Sequence, residues 1–259
     1  MHPMLNTAVR AARRAASVIQ RASNNLDLIK PERKGLNNFA SEVDRAAEKA
    51  IVDIILEAYP KHAILAEEGG MQGDSDYTWI IDPLDGTTNY LHGYPHYAIS
   101  IALKHKEVIT QAVVYDPSRN ELFSATRGVG AFLNDRRIRV SKTRDLKDAL
   151  INTGLPCYNL THLATYTPIL HDVIQQCVGV RSSGSAALDL AYAACGRVDA
   201  YFELGLQLYD FAAGALLVQE AGGLVTDVHG EEEYMKSGDI LVGTPRVFGQ
   251  LLKILSTHL

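Results

Sequence analysis

The alternation of apolar and polar positions divides the chain into two kinds of pattern. Leu5, Val9, Ala12, Ala16 and Ile19 recur at helical spacing and predict a helix with one buried stripe. A second helix is expected to start at Ser41. Asp44 stands three residues on, in capping-box position, and Val43, Ala47, Ala50, Ile51, Ile54 and Ala58 share one face. The segment just before it, residues 34–37, reads as a mobile loop. Short strand-like runs follow at 63–66, 78–81, 97–103, 108–115 and 121–125. Polar turns separate the last three and predict an antiparallel meander.

After residue 147 the pattern changes. Strands are expected at 149–152, 180–182, 198–202, 224–227 and 240–242. Helices are expected at 163–178, 185–195, 210–221 and 245–258, and Gly196 closes the second of these. Strands alternating with helices imply a layered α/β arrangement. The expected fold is therefore α/β with an α+β N-terminal half, divided into residues 1–147 and 148–259.

Composition narrows the field. With 259 residues, 47% hydrophobic and 21% charged, the chain suits one large domain or two closely packed halves of a soluble protein. A net charge of −5 supplies no broad basic surface, so no direct nucleic-acid binding is expected. The longest apolar stretch, 211–218, is too short to cross a bilayer. Cys157, Cys177 and Cys195 are odd in number and lack metal-ligand spacing, which reads as reduced thiols in the cytoplasm. Arg10, Arg13, Arg14 and Arg21 precede the first acid, Asp27, a bias shared with mitochondrial transit peptides. The apolar stripe between them favours the first helix of a domain instead.

The densest chemical signal is Asp82-Pro83-Leu84-Asp85-Gly86-Thr87-Thr88-Asn89, directly after the apolar run Trp79-Ile80-Ile81. A buried strand ending in two carboxylates delivers hard oxygen ligands to one place, as Mg²⁺ requires. Gly86 removes a side chain where a phosphate must approach, and the amides of Gly86, Thr87 and Thr88 are placed to cradle it. Asp-Pro and Asp-Gly are also ordinary turn dipeptides. Two further acidic signals add weight: Glu67-Glu68-Gly69-Gly70 follows another strand, and Asp210 opens an apolar helix, where a simple N-cap is the alternative.

Residues 82–89 and Tyr209-Asp210-Phe211-Ala212-Ala213-Gly214, running on to Glu220-Ala221-Gly222-Gly223, resemble the two signature motifs of the inositol monophosphatase family. The resemblance spans essentially the whole chain. It takes in Glu67-Glu68, Gly184-Ser185-Ala186-Ala187 and Asp199-Ala200-Tyr201-Phe202-Glu203. The opening 1–6 and Asp189-Leu190-Ala191-Tyr192 look most like bacterial SuhB-type members.

This resemblance implies an αβαβα sandwich, usually dimeric, that hydrolyses a small-molecule phosphate ester with Mg²⁺. It places Glu67, Asp82 and the Leu84 carbonyl on a first ion and Asp82, Asp85 and Asp210 on a second. Thr87 and Asp44, near Glu67, match the pair that orients and deprotonates the attacking water. Asp85, Ser185, Ala186 and Glu203 match positions lining the sugar hydroxyls, with Asp210, Gly86 and Thr87 completing the substrate site. Three departures stand out: Asn38 where an aspartate is usual near a weak third metal site, Tyr209 for tryptophan, and Gln207 where some members carry histidine. A bisphosphate or nucleotide phosphatase would share the metal motifs, yet only Arg181 stands beside the substrate segments. SuhB-type members also imply a possible transcription-machinery partner, engaged through protein contacts in antitermination.

Overall fold

The apolar run at Trp79-Ile80-Ile81 lies mid-strand in a sheet covered on both sides. The computed structural model describes residues 2–29, 31–36 and 38–259, without the side chains of Leu28, Lys34 and Asn38. Helices α1 (Pro3–Ala22) and α2 (Glu42–Ala58) flank a ribbon of β1 (Glu32–Gly35) and β2 (Asn38–Ala40). There follow β3 (Ala63–Ala66), β4 (Gly70–Gln72), β5 (Tyr77–Asp85), α3 (Thr87–Leu91) and β6 (Ala98–His105). A meander continues through β7 (Val108–Asp116), β8 (Glu121–Thr126), β9 (Gly130–Leu133) and β10 (Arg136–Arg137). The rest alternates: β11 (Leu150–Thr153), α4 (Leu163–Gln176), β12 (Gly179–Arg181), α5 (Ala186–Ala194) and β13 (Ala200–Glu203). The chain closes with α6 (Leu208–Glu220), β14 (Leu224–Thr226), α7 (Tyr234–Ser237), β15 (Ile240–Gly243) and α8 (Pro245–His258).

Two sheets organise these elements. The eight-stranded sheet runs β10-β9-β8-β7-β6-β5-β3-β4, antiparallel except where β3 and β5 pair in parallel. The five-stranded sheet runs β12-β11-β13-β15-β14, with parallel pairing only of β11 to β12 and β13. Three cores separate the layers. Trp79, Ile81 and Ile101 face α1 and α2, whereas Ile80, Ala98 and Ala102 face α5 and α6 between the sheets. Ile151, Phe202 and Leu241 pack under α4 and α8. The result is an αβαβα sandwich. Because α6 lies between two sheets, it is apolar nearly all round, with Phe211 through Val218 buried. Each of the buried Phe211, Leu216, Leu217 and Val218 side chains contributes about 1.5–3 kcal/mol.

Several boundaries differ from the sequence reading. α1 buries a wider stripe than expected, including Ala8, Ala11 and Ala15, while Val9 is only half-buried. On α2 the buried column is Val43, Asp44, Ala47, Glu48, Ile51 and Ile55, and Ala58 is exposed. The helix is rotated because its two acids turn toward the strand ends, where protein donors meet them. Instead of a loop at 34–37, β1 pairs antiparallel with β2. Bidentate Arg45–Glu32 bonds, both 2.8 Å, brace that ribbon. Asn37 and the Asn38 side chain fall outside the described residues. The hairpin β9–β10 was not expected, because two short strands leave little periodic signal.

Candidate active site

Parallel pairing puts the carboxyl ends of β3 and β5 side by side, Ala66 opposite Ile81. Glu67 therefore emerges beside Asp82, and its amide donates to the Ile81 carbonyl at 3.1 Å. In a regular strand, residues three apart point to opposite faces. Here the β5–β6 register slips between Asp82 (opposite Ser100) and Asp85 (opposite Ala98). The one extra residue is a bulge, which brings both carboxylates to one side and accommodates Pro83. Gly86 then turns the chain at φ +93° into α3. A Cβ there would lie 3.1 Å from the His96 carbonyl and 3.2 Å from that of Gly184.

Asp44 reaches the same place from α2. One oxygen closes the capping box, accepting from the Ser41 amide at 2.8 Å and the Ser41 hydroxyl at 2.6 Å. The other accepts from Thr87 Oγ1 at 2.8 Å. Thr87 Oγ1 also lies 3.0 Å from the Leu84 carbonyl. Asp44 is thus both a helix cap and the partner of Thr87.

Asp210 does not serve as the N-cap of α6. Gln207 holds that position, and Asp210 stands three residues inside with Oδ2 accepting from the Gln207 amide at 2.7 Å. Across the cavity Asp85 Oδ2 accepts from the Ser185 hydroxyl and, at 2.9 Å, from the Ala187 amide. Ser185 N-caps α5, so this carboxylate ties the first sheet to the helix layer. Glu203, at the end of β13, accepts from the Tyr201 phenol. Gly154 lies against the Glu203 carboxyl so closely that a Cβ would overlap it at 1.8 Å.

These groups line one cavity of about 400 Å³: Glu67, Asp82, Leu84, Asp85, Gly86, Thr87, Ser185, Ala186, Glu203 and Asp210 all border it. Asp82 and Asp85 are only 2% and 9% exposed. Burial, then the charges of Glu67, Asp85 and Asp210, holds the Asp82 carboxyl well above its ordinary range. Burial raises Asp85 to about 6 against the hydrogen bonds of Ser185 and Ala187. Asp210 is raised by burial and by the charges of Asp85, Glu67 and Glu203. Glu203 is pushed up to about 7, again chiefly by burial. Among the described residues no lysine or arginine lines the cavity.

The donor set suits a hard divalent cation: four carboxylates and a backbone carbonyl, all oxygen, facing one polar cavity. Among the described residues no three His, Cys, Asp or Glu side chains stand in a finished ligating arrangement. Asp82 Oδ1 accepts from the Leu84 amide at 3.0 Å, and Asp85 and Asp210 are held by the donors named above.

The model of the inositol monophosphatase family matches residues 1–259. The chain belongs to that family. It is 52% identical over 260 residues to a protein of Neisseria meningitidis serogroup B named putative Nus factor SuhB, covering all of both chains. The solved extragenic suppressor protein SuhB from Bartonella henselae superposes with a TM-score of 0.97 at 42% identity, again over all of both chains. An inositol monophosphatase from Anabaena superposes at 0.84 with 37% identity, over 99% of this chain and 96% of that one. The family is one of phosphatases, and the layered fold described above is shared with these structures. Among the described residues no helix is long and apolar enough to cross a membrane.

Sequence reasoning missed part of this candidate site. Glu48, one turn after Asp44, accepts from the Glu68 amide at 2.8 Å and so holds the Glu67-Glu68 turn. Two acids four apart on an apolar helix face were the available signal. Tyr201 and Gly154 frame Glu203, and only Tyr201 lay in a recognised segment. Phe39, Cys157, Tyr158 and His162 also border the cavity. No local pattern marked them. Gln207 and Tyr209 both border it too, and the Tyr209 carbonyl accepts from Ser100 Oγ at 3.2 Å.

Proposed function

We propose that the protein is a Mg²⁺-dependent phosphatase that hydrolyses an inositol monophosphate or a closely similar polyol monophosphate. One observation carries this reading: several carboxylates converge in a cavity that no described lysine or arginine lines. A phosphate monoester brings about 1.5–2 further negative charges near neutral pH. Two carboxylates about 4 Å apart already repel by about 4 kcal/mol at an effective dielectric near 20. Such a cavity accepts a phosphate only together with cations.

Glu67, Asp82 and the Leu84 carbonyl would hold one Mg²⁺, and Asp82, Asp85 and Asp210 a second. When bound, the ions supply Lewis-acid polarisation of the phosphoryl group and lower the pKa of a bound water. The amides of Gly86, Thr87 and Thr88 cradle the phosphate. Thr87 Oγ1 donates its proton to Asp44 and keeps lone pairs for the attacking water. As the water oxygen bonds to phosphorus, its proton passes to Thr87 Oγ1 and the Thr87 proton moves to Asp44 Oδ1, while the ester P–O bond breaks and the leaving polyol oxygen takes a proton from solvent. Glu67 helps orient that water. Ser185, Ala186 and Glu203 receive the polyol hydroxyls, and among the described residues a second phosphate would find no lysine or arginine there.

Phosphate release from a panel of polyol and sugar monophosphates, with Mg²⁺ and with EDTA, tests the reading. Activity on inositol monophosphates that requires Mg²⁺ is expected; full activity in EDTA would overturn the mechanism.

A second role is favoured by the name Nus factor SuhB carried by a 51% identical relative from Escherichia coli. Under it the protein also contacts the transcription machinery. A pull-down with RNA polymerase and its elongation factors, repeated with Asp85→Asn, separates the two: capture by both proteins supports a role independent of catalysis. A homodimer and a weak third ion near Asn38 complete the proposal. Light scattering tests the dimer, and a Mg²⁺ titration of Asn38→Asp tests the ion.

A further inference from the structure

Asn89 ends the densest motif in the sequence, and the mechanism above gives it no task. Its side-chain nitrogen faces three carbonyl oxygens: His96 at 2.8 Å, Ser183 at 2.9 Å and Gly184 at 3.3 Å. An amide carries two hydrogens, so the short contacts to His96 and Ser183 take both and the Gly184 oxygen shares one. His96 belongs to the segment entering β6. Ser183 and Gly184 belong to the loop entering α5, 94 and 95 residues away in sequence. One side chain therefore joins the turn that cradles phosphate to the loop that ends in Ser185 and Ala186.

The backbones are built to close on this amide. Gly184 stands at φ +82°, and a Cβ there would come within 3.0 Å of the Asn89 nitrogen. The missing Cβ of Gly86 likewise lets the Gly184 carbonyl approach from the other side. The same loop lies over the buried Asp189 carboxyl of its own half. Asp189 accepts from Asn152 Nδ2 at 2.7 Å.

We propose that Asn89 is a positioning residue that sets the distance between the phosphate cradle and the polyol wall, and thereby selects polyol esters over simple phosphate esters. The proposal rests on the function proposed above. Its nitrogen is turned to backbone carbonyls, so Asn89 acts through the Ser183–Ser185 loop. A substrate that spans both sides of the cavity depends on that distance, whereas one that fills only the cradle does not. Misplacing one wall by about 1 Å costs on the order of a hundredfold for a spanning substrate.

The test compares Asn89→Ala with the parent on inositol 1-phosphate and on methyl phosphate. We expect kcat/KM to fall about ten- to hundredfold for the inositol ester and less than about threefold for methyl phosphate. Equal losses on both esters, or no loss on the inositol ester, would overturn the proposal. Gly184→Ala pushes the same loop from the opposite side and should give the same split, which keeps the test readable if Asn89→Ala fails to fold. Hydrogen exchange provides a readout independent of turnover. The amides of residues 183–187 should exchange at least about tenfold faster in Asn89→Ala, with the β5–β6 core unchanged. Unchanged or uniformly faster exchange counts against it. A parent inactive on both esters overturns the proposed function, and the exchange result still decides whether Asn89 holds the loop.

Discussion

The two sides of the cavity are built differently. The side proposed for phosphate comes from β3, β5 and the turn into α3, where Glu67, Asp82 and Asp85 sit at the ends of two adjacent interior strands covered on both faces. The side proposed for the polyol is assembled from Gly154, Ser185, Ala186 and Glu203, which end or begin three separate elements of the other sheet and its helices. Its neighbouring loop exposes Leu155, Tyr158 and Leu160, side chains that the first side would bury. Strand ends locked by a ladder hold charge against repulsion; loops can change without disturbing that ladder. Under the proposed function, chemistry belongs to the rigid side and choice of substrate to the adaptable one. Asp85 and Asn89 are the points where the two sides are fastened together.

The sharpest challenge to this division is loss of a carboxylate on the rigid side. Asp85→Asn or Asp210→Asn should lower kcat/KM by about a thousandfold or more on every phosphate ester, with an unchanged circular dichroism spectrum. A loss confined to inositol esters would break the comparison. Thr87→Val comes next. It keeps the shape of the side chain and removes the hydroxyl between Asp44 and the water, so kcat should fall about a hundredfold on all esters with KM little changed.

Mg²⁺ should act on the same side in the folded protein alone. At a hundred times its dissociation constant it adds about 2.7 kcal/mol of stability, read as a higher melting temperature. Asp85→Asn should lose most of that gain, and Glu203→Gln should keep it. The smallest effect falls on the polyol side: Glu203→Gln should cost about tenfold on inositol monophosphate and leave methyl phosphate almost untouched. The same variant has a pH signature. The Glu203 carboxyl is raised from 4.5 to about 7 in the folded protein. The folded state therefore keeps its proton where the unfolded chain has lost it. This contribution is full below pH 4.5 and disappears as pH rises through about 7. Melting temperatures of Glu203→Gln should be flatter than the parent's across that window, and parallel curves would show that the carboxyl titrates normally.

What the sequence alone determined was local. The carboxylate pair that follows the buried strand, the glycine turn at 86 and the capping box of Ser41 and Asp44 were legible, because each depends on residues within a few positions of one another; the bulge that carries the strand on to Asp85 was not, because it belongs to the pairing with β6. So were the buried run at 79–81 and the all-round apolar helix at 211–218, since burial on two faces leaves an unbroken hydrophobic stretch. The motif resemblance supplied the family and a candidate ligand set. Tertiary structure decided the rest. The parallel pairing of β3 with β5 sets Glu67 beside Asp82. The rotation of α2 turns Glu48 to the Glu68 amide, and the approach of β11 lays Gly154 against Glu203. Asn89 grips a loop 94 residues away. Side-chain patterning reports which face of an element is buried, but not which partner lies against it. That choice is made only when helices and sheets of similar apolar character compete to cover one another.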